Sequence, residues 1–278
     1  MSLFKKGIVV FVFVLGTMCY ADPLDITVAA YYIPSTYTDT IFKTNTTVEG
    51  GYGYFGFGTS AIECGYDQVL STQTKGSVQQ NYLGLYTYFM PTMQFKGGFV
   101  AIRPNGGDGN GDVYVLGGAY DQYNEYGYKA WSAGADAFVS MYTGTSKLTV
   151  YQASPGAHYY MASPWNVGWF DVSGKVNGIF ISDNRTLFSE ELAIKYNWDA
   201  YSVGATYYLG ETTYGIYNGG FVVFNTNDKL LTGYALSGKY SVGPLSFTAN
   251  YQVQNMIASG ATSTTSFTKI GGLMTYHF

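Results

Sequence analysis

From Leu245 to Val253 the chain alternates strictly: Leu245, Phe247, Ala249, Tyr251 and Val253 are apolar, and Ser246, Thr248, Asn250 and Gln252 between them are polar. A period of two puts the first set on one face of an extended strand and the second on the other. The same rhythm returns along the chain. Leu192, Ile194, Tyr196 and Trp198 oppose Glu191, Lys195 and Asn197; Val203, Ala205 and Tyr207 oppose Ser202, Gly204 and Thr206. Val172 and Val176 oppose Asp171, Ser173, Lys175 and Asn177, and Ala133, Ala135, Ala137 and Val139 oppose Ser132, Asp136 and Ser140. Each run is close to the ~10 residues with which a tilted strand crosses a bilayer.

Fifteen candidate strands begin near Ile26, Gly51, Ile62, Asn81, Gln94, Val113, Lys129, Leu148, Trp169, Leu187, Tyr201, Gly219, Leu230, Leu245 and Phe267. Single-chain bacterial barrels normally have an even number of strands, so at least one of these fifteen is misassigned. The least regular are Leu148 to Ala162, interrupted by Pro155, and Gly215 to Asn225. The pattern predicts an all-β, transmembrane, antiparallel up-and-down β-barrel of about fourteen strands, with twelve or sixteen as the alternatives. Turn signals at Pro91-Thr92, Ser163-Pro164-Trp165, Trp198-Asp199-Ala200 and within Tyr240–Ser246 separate some segments. Longer polar stretches, Ser35 to Thr47, Pro104 to Asp112, Glu211 to Asn218 and Ile257 to Ser266, separate others. Short turns and long loops in alternation are expected at the two ends of such a barrel.

The two chain ends add to this. Lys5 and Lys6 precede an apolar run from Gly7 to Leu15 and small and polar residues up to Ala21, the order of a cleaved secretory signal peptide over residues 1–21. That run is too short for a membrane-spanning helix, which needs ~20 apolar residues. At the other end Ile270, Gly272, Met274, Tyr276 and Phe278 share one face of a final strand that stops on an aromatic. This ending, Tyr276-His-Phe278, resembles the assembly signal of Gram-negative outer-membrane barrels, and Tyr240-Ser-Val-Gly-Pro-Leu-Ser246 resembles the periplasmic turns of porins. The resemblance implies residues 22–278 as one barrel, exported through the periplasm, read by the barrel-insertion machinery and surrounded by outer-membrane lipid.

Composition separates this reading from a soluble β-sandwich, which also alternates. Only 12% of residues are charged and 18% are aromatic, with twenty-nine tyrosines. Soluble domains carry roughly twice that charge. Removing the leader takes Lys5, Lys6 and Cys19, so the mature chain keeps Cys64 alone and has no intrachain disulfide to staple it.

If the polar faces point inward, the pore lining consists of Glu63, Asp67, Lys96, Asp136, Asp171, Lys175, Glu191, Lys195, Lys239, Asn250, Gln252 and Lys269. Mixed charges of this kind suit a water-filled path for small polar solutes or ions, because unhydrated charges are costly to enclose. Pairing across strands, purely to stabilise a closed barrel, is the plainer explanation. With Arg103 and Arg185 as the only arginines, no ladder selects phosphate or acidic sugars. A surface barrel with a plugged or narrow lumen, whose loops contact another cell, is the alternative function.

Catalysis has little to stand on. His158, near Ser154 and Ser163, and His277 at the terminus are the only histidines, and no motif surrounds either; no enzyme and no cofactor is expected. Asp108, Asn110 and Asp112 space oxygen ligands two apart as calcium loops do, but the distal bidentate Glu is missing and a Gly-rich turn accounts for them. No phosphate loop, dinucleotide fingerprint or basic nucleic-acid patch is present, and the glycines of Gly51–Gly58 read as a strand with rings packed over bare backbone. The solute and the oligomeric state have no signature in the sequence.

Overall fold

The computed structural model describes residues 24–38, 44–71, 76–105, 110–143, 147–164, 167–217, 222–223 and 227–278. The strands are β1 Asp25–Tyr37, β2 Thr46–Phe57, β3 Ser60–Ser71, β4 Gly76–Phe89, β5 Met93–Pro104, β6 Gly111–Tyr123, β7 Lys129–Tyr142 and β8 Leu148–Ala162. They continue as β9 Trp169–Ile181, β10 Thr186–Trp198, β11 Tyr201–Gly210, β12 Ile216–Tyr217, β13 Val222–Val223, β14 Lys229–Val242, β15 Leu245–Ile257 and β16 Thr264–His277. Every wall strand pairs antiparallel with its chain neighbour, β11 pairs with β14, and β1 pairs with β16, so fourteen strands close into a barrel. Closure satisfies each strand's backbone on both edges without water, the condition for a sheet in hydrocarbon.

Leu148 to Ala162 is a full wall strand. Pro155 lacks an N–H, and the ladder between β8 and β9 passes from Ala153–Gly178 to Gly156–Lys175 without it, while Ala135 still registers with Pro155 on the β7 side. Gly215 to Asn225 is not a wall strand. Its described parts form a two-residue hairpin, β12 with β13, apart from the barrel sheet; Gly219 itself lies outside the described residues, as do the leader segment and Asp108.

The connections divide between the two ends. The turns β2–β3, β4–β5, β6–β7, β8–β9, β10–β11 and β14–β15 lie at the end that holds the start of β1 and the C-terminus, where Phe278 N donates to Ile26 O. Three are two-residue hairpins, with Gly58 (φ 55°), Asp199 (φ 47°) and Gly243 (φ 55°) adopting the left-handed backbone these turns need. The other end carries the two longest connections, 38–45 between β1 and β2 and 211–228 between β11 and β14. With ~4.7 Å between strands and ~40° of tilt, fourteen strands make a backbone cylinder roughly 27 Å across.

The outer face is apolar. Leu116, Leu192, Ile194, Leu236 and Ile270 stand exposed on it at mid-height. Toward the terminal end, rings touch in a row: Tyr120–Trp131, Phe170–Tyr196, Tyr196–Trp198, Trp198–Tyr201, Tyr201–Tyr240 and Tyr276–Phe278, with centroids 4.6–5.6 Å apart. Toward the loop end, Tyr66–Tyr82, Phe180–Phe188 and Tyr234–Tyr251 form a second row. From Phe188 to Trp198 on β10 is ten steps, about 26 Å along the barrel axis at that tilt, matching the ~25 Å belt between aromatic girdles of membrane barrels.

Candidate functional site

The register places Glu63, Asp67, Lys96, Asp136, Asp171, Lys175, Glu191, Lys195, Lys239, Asn250, Gln252 and Lys269 on the opposite face, toward the lumen. Most are in contact with partners. Lys96 Nζ lies 2.9 Å from Asp136 Oδ1, and Lys175 Nζ lies 3.2 Å from Glu191 Oε1. Glu63 accepts from Tyr52 Oη (2.8 Å), and Asp67 accepts from Tyr31 Oη (3.2 Å) and Asn81 Nδ2 (2.7 Å). Lys195 and Lys239 make no ion pair among the described residues. In barrel order Lys195 on β10 stands seven strands from β3, so it faces the wall of Glu63 and Asp67. The described residues of β1 to β4 carry no Lys or Arg, which gives the lumen one acidic, tyrosine-lined wall and one basic wall.

Two inner-face pairs reach across an intervening strand, and in each a glycine makes room. Lys96, Gly117 and Asp136 are in register on β5, β6 and β7, and a Cβ at Gly117 would lie 2.2 Å from Asp136 Oδ1. Tyr31, Gly50 and Asp67 repeat the arrangement on β1, β2 and β3, where a Cβ at Gly50 would lie 2.6 Å from Tyr31 Oη.

The loop half of the lumen differs from the sequence expectation of a hydrated interior. On β4 to β7 the inward residues Leu85, Val100, Ile102, Val113, Val115 and Phe138 form an apolar patch, continued on β8 and β9 by Val150, Ile179 and Ile181. This surface is dry because the connection from β11 to β14 folds into the barrel onto it. Ile216 packs within the first cluster at 1% exposure, and Tyr214 packs against the second, its ring 5.3 Å from that of Tyr142. The chain turns inward at Gly210, whose φ of 83° and close approach to Phe188 O leave no room for a side chain. Tyr214 itself holds a left-handed φ of 54°, which costs ~1–2 kcal/mol for a residue with a Cβ.

The neck of this loop is fastened. Thr212 and Leu230 exchange backbone hydrogen bonds (3.0 and 2.8 Å), Thr213 Oγ1 donates to Asp228 O, and Ser259 N donates to Asp228 Oδ1. From the neighbouring β9–β10 turn, Arg185 donates to Asn227 Oδ1 and stands 5.9 Å over the Tyr214 ring. Asp183 holds the guanidinium through bonds of 2.7–3.0 Å, and that contact keeps the Asp183 carboxyl below its ordinary pKa.

Inside the lumen the loop is gripped by one side chain that composition and charge did not single out. Gln152 Nε2 donates to Ile216 O at 2.7 Å, and Ile216 N donates to Gln152 Oε1 at 2.8 Å. The amide is held by a relay across β8, β9 and β10. Gln152 Nε2 also donates to Ser154 Oγ, Ser154 to Asn177 Oδ1, and Asn177 Nδ2 to Ser189 Oγ and Glu191 Oε1, the oxygen that meets Lys175. Gln152, Ser154, Asn177 and Ser189 are all buried. Two runs signalled that the inner wall here is greasy: Phe99-Val-Ala-Ile102 and Val113-Tyr-Val-Leu116 are apolar on both faces, as a strand between lipid and a dry lumen must be.

The remaining candidates are placed as follows. His158 faces the lumen, its Nδ1 3.0 Å from Asp171 Oδ1 and its ring stacked on Tyr160, while Ser154 belongs to the Gln152 relay. His277 Nδ1 meets Thr27 Oγ1 at the terminal rim. Cys64 is half-buried on the outer face between Ile62 and Tyr66. Asp112 Oδ1 is bound by Arg103 at 2.8 Å, and the backbone carbonyl of Asn110 accepts from Thr143 N.

Sequence comparison finds no matching protein-family model and no matching curated protein. The fold has solved counterparts. A TodX deltaS2S3 mutant monoaromatic hydrocarbon channel is similar with a TM-score of 0.55 at 8% identity, over 92% of this chain and 90% of that one. The CymD monoaromatic hydrocarbon channel gives 0.52 at 7% over 92% and 89%, and a bacterial polysaccharide outer membrane secretin 0.51 at 9% over 92% and 98%. At these identities the likeness is one of architecture: this chain shares the closed β-barrel of those proteins.

Proposed function

We propose that the chain is a passive channel of a bacterial outer membrane, admitting small polar solutes or ions through a lumen narrowed by the inward segment 211–217 that follows β11. The observation that carries this reading is the division of one closed sheet into an apolar outer belt between two aromatic rows and an inner face bearing the twelve residues named above. After side chains of ~6 Å from each wall, a cylinder of this size leaves a lumen roughly 15 Å across, more than the walls alone fill. The loop occupies the side lined by β4 to β9, and the path runs past it along the acidic β1–β4 wall and the lysines of β10, β14 and β16.

Residues 1–21 act as the export leader, the terminal end with its short turns faces the periplasm, and the Tyr276–Phe278 ending serves the insertion machinery. The charged pairs Lys96–Asp136 and Lys175–Glu191, with Lys195 and Lys239, which make no ion pair among the described residues, set the weak selectivity of the path. Purified protein in a planar bilayer gives stepwise conductance on this account, and membranes that stay sealed at high protein dose overturn it. The inward loop favours one other reading, a surface barrel with a closed lumen. That reading predicts no conductance even after the loop is detached, and loss of cell contact when the loop between β15 and β16 is shortened.

A further inference from the structure

Ile216 is held in two ways that belong to recognition of a ligand rather than to simple packing of a loop. Its side chain fills an apolar recess on the lumen wall, between Val113, Val115 and Phe138. Its main chain is read by the Gln152 amide, which gives an N–H to the carbonyl and takes the N–H of the same residue. Exchange of both bonds with a single residue is what one strand does to its hydrogen-bonded neighbour in an antiparallel sheet. Gln152 thus supplies from a side chain the edge that an extended peptide seeks. The relay through Ser154 and Asn177 to Glu191 fixes which end of the amide points where, since Asn177 and the hydroxyls leave the Gln152 nitrogen as donor and its oxygen as acceptor toward Ile216.

We propose that this recess is a peptide-binding site that the protein's own loop occupies, and that a short peptide with a branched aliphatic residue takes the place of Ile216 within the lumen. The chemistry of the site defines the class: one extended residue presenting N–H and C=O to Gln152, with a β-branched or γ-branched side chain for the recess. A polar solute without that side chain leaves the recess to Ile216, and an apolar solute without an amide leaves Gln152 Oε1 and the N–H not taken by Ser154 without a partner in a buried setting. The loop competes because it is tethered, at an effective concentration on the order of millimolar, so an added peptide binds the native protein weakly. This proposal gives the lumen a solute class and rests on the channel reading for its physiological use, but binding itself can be measured without transport.

The test is calorimetric titration of the full-length protein in detergent with N-acetyl-isoleucine methylamide, with N-acetyl-glycine methylamide as the control. Removing the competitor by Ile216→Gly, or by Ile216→Ala should the glycine variant fail to fold, should tighten binding of the isoleucine probe at least tenfold over the native protein. The glycine probe should gain little, and adding Gln152→Leu should remove the gain. Equal affinity in native and Ile216→Gly protein, equal affinity for the two probes, or full binding after Gln152→Leu overturns the proposal. Conductance recorded on the same preparations separates the two readings. Binding without current sinks the channel and leaves the site; current without binding sinks the site and leaves the channel.

Discussion

Detaching the inward loop by Ile216→Ala is the perturbation whose size the structure defines best. The substitution removes most of a side chain that is 1% exposed and enclosed by Leu85, Val100, Ile102, Val113, Val115 and Phe138. Burial of that apolar area at ~25 cal/mol per Å², together with the void left in a wall that cannot collapse, amounts to about 3 kcal/mol. The barrel itself does not depend on this contact, since every wall strand is paired with a neighbour on both edges, so the loss falls on the equilibrium between docked and undocked loop. Three kcal/mol is a factor of roughly 150 in that equilibrium, enough to carry a loop undocked about 1% of the time to an undocked majority. Single-channel recording should show a larger conductance level that is rare in the native protein and dominant in the variant. An unchanged distribution of levels, in protein with an unchanged strand content by circular dichroism, would refute the reasoning.

Other consequences follow from particular contacts. Gly117→Val should displace the Lys96–Asp136 pair and alter the ratio of cation to anion current, read as a shifted reversal potential in a salt gradient; Gly238→Val, at a glycine with nothing near its Cβ position, should not. Leu236→Arg, at the middle of β14 on the outer face, should cost ~2–4 kcal/mol of barrel stability in lipid, measured by urea unfolding in vesicles. Asn177→Leu leaves Ser154, Ser189 and Glu191 short of a partner and should cost ~2–4 kcal/mol by the same assay. Asp183 has a depressed pKa in the folded protein, so its contribution to the Arg185 clamp on Asn227 and Tyr214 is complete above the ordinary carboxylate value near ~3.9 and fades as pH falls through the lower folded value. Loop-open events should therefore rise at pH 3 relative to pH 7, and should not do so in Asp183→Asn, where the clamp is already weakened at both.

The sequence carried the wall almost completely, because a strand between lipid and water must alternate and this chain's turns are marked by Gly, Pro and Asp. The strand expected near Gly219 shows where that logic stops. Phe221-Val-Val-Phe224 is as apolar as any wall strand, and periodicity reports that a segment avoids water without reporting what it is buried against. Here the described part of that segment forms a hairpin of the connection that enters the lumen. The same blindness hid the apolar inner patch: Val100 and Ile102 look like neighbours of Phe99 in one greasy run, and only the register shows that they face the lumen while Phe99 faces out. Gln152 was illegible for a different reason. A lone Gln on a polar face has no motif, and its role comes from Ile216, 64 residues away in the chain. Inward-facing charges were legible in position, since parity fixes the face, but their pairings across Gly50 and Gly117 needed three strands in register.

Alternate wetting of one strand tests the central claim most directly. In a Cys64→Ser background, single cysteines at Tyr234, Ala235, Leu236, Ser237, Gly238 and Lys239 of β14, reconstituted in vesicles, should divide by parity toward a membrane-impermeant maleimide. Positions 235, 237 and 239 should react from a water-filled lumen, while 234, 236 and 238 should stay protected by lipid. Uniform reactivity, or uniform protection, along these six positions would contradict a barrel with hydrocarbon outside and water within.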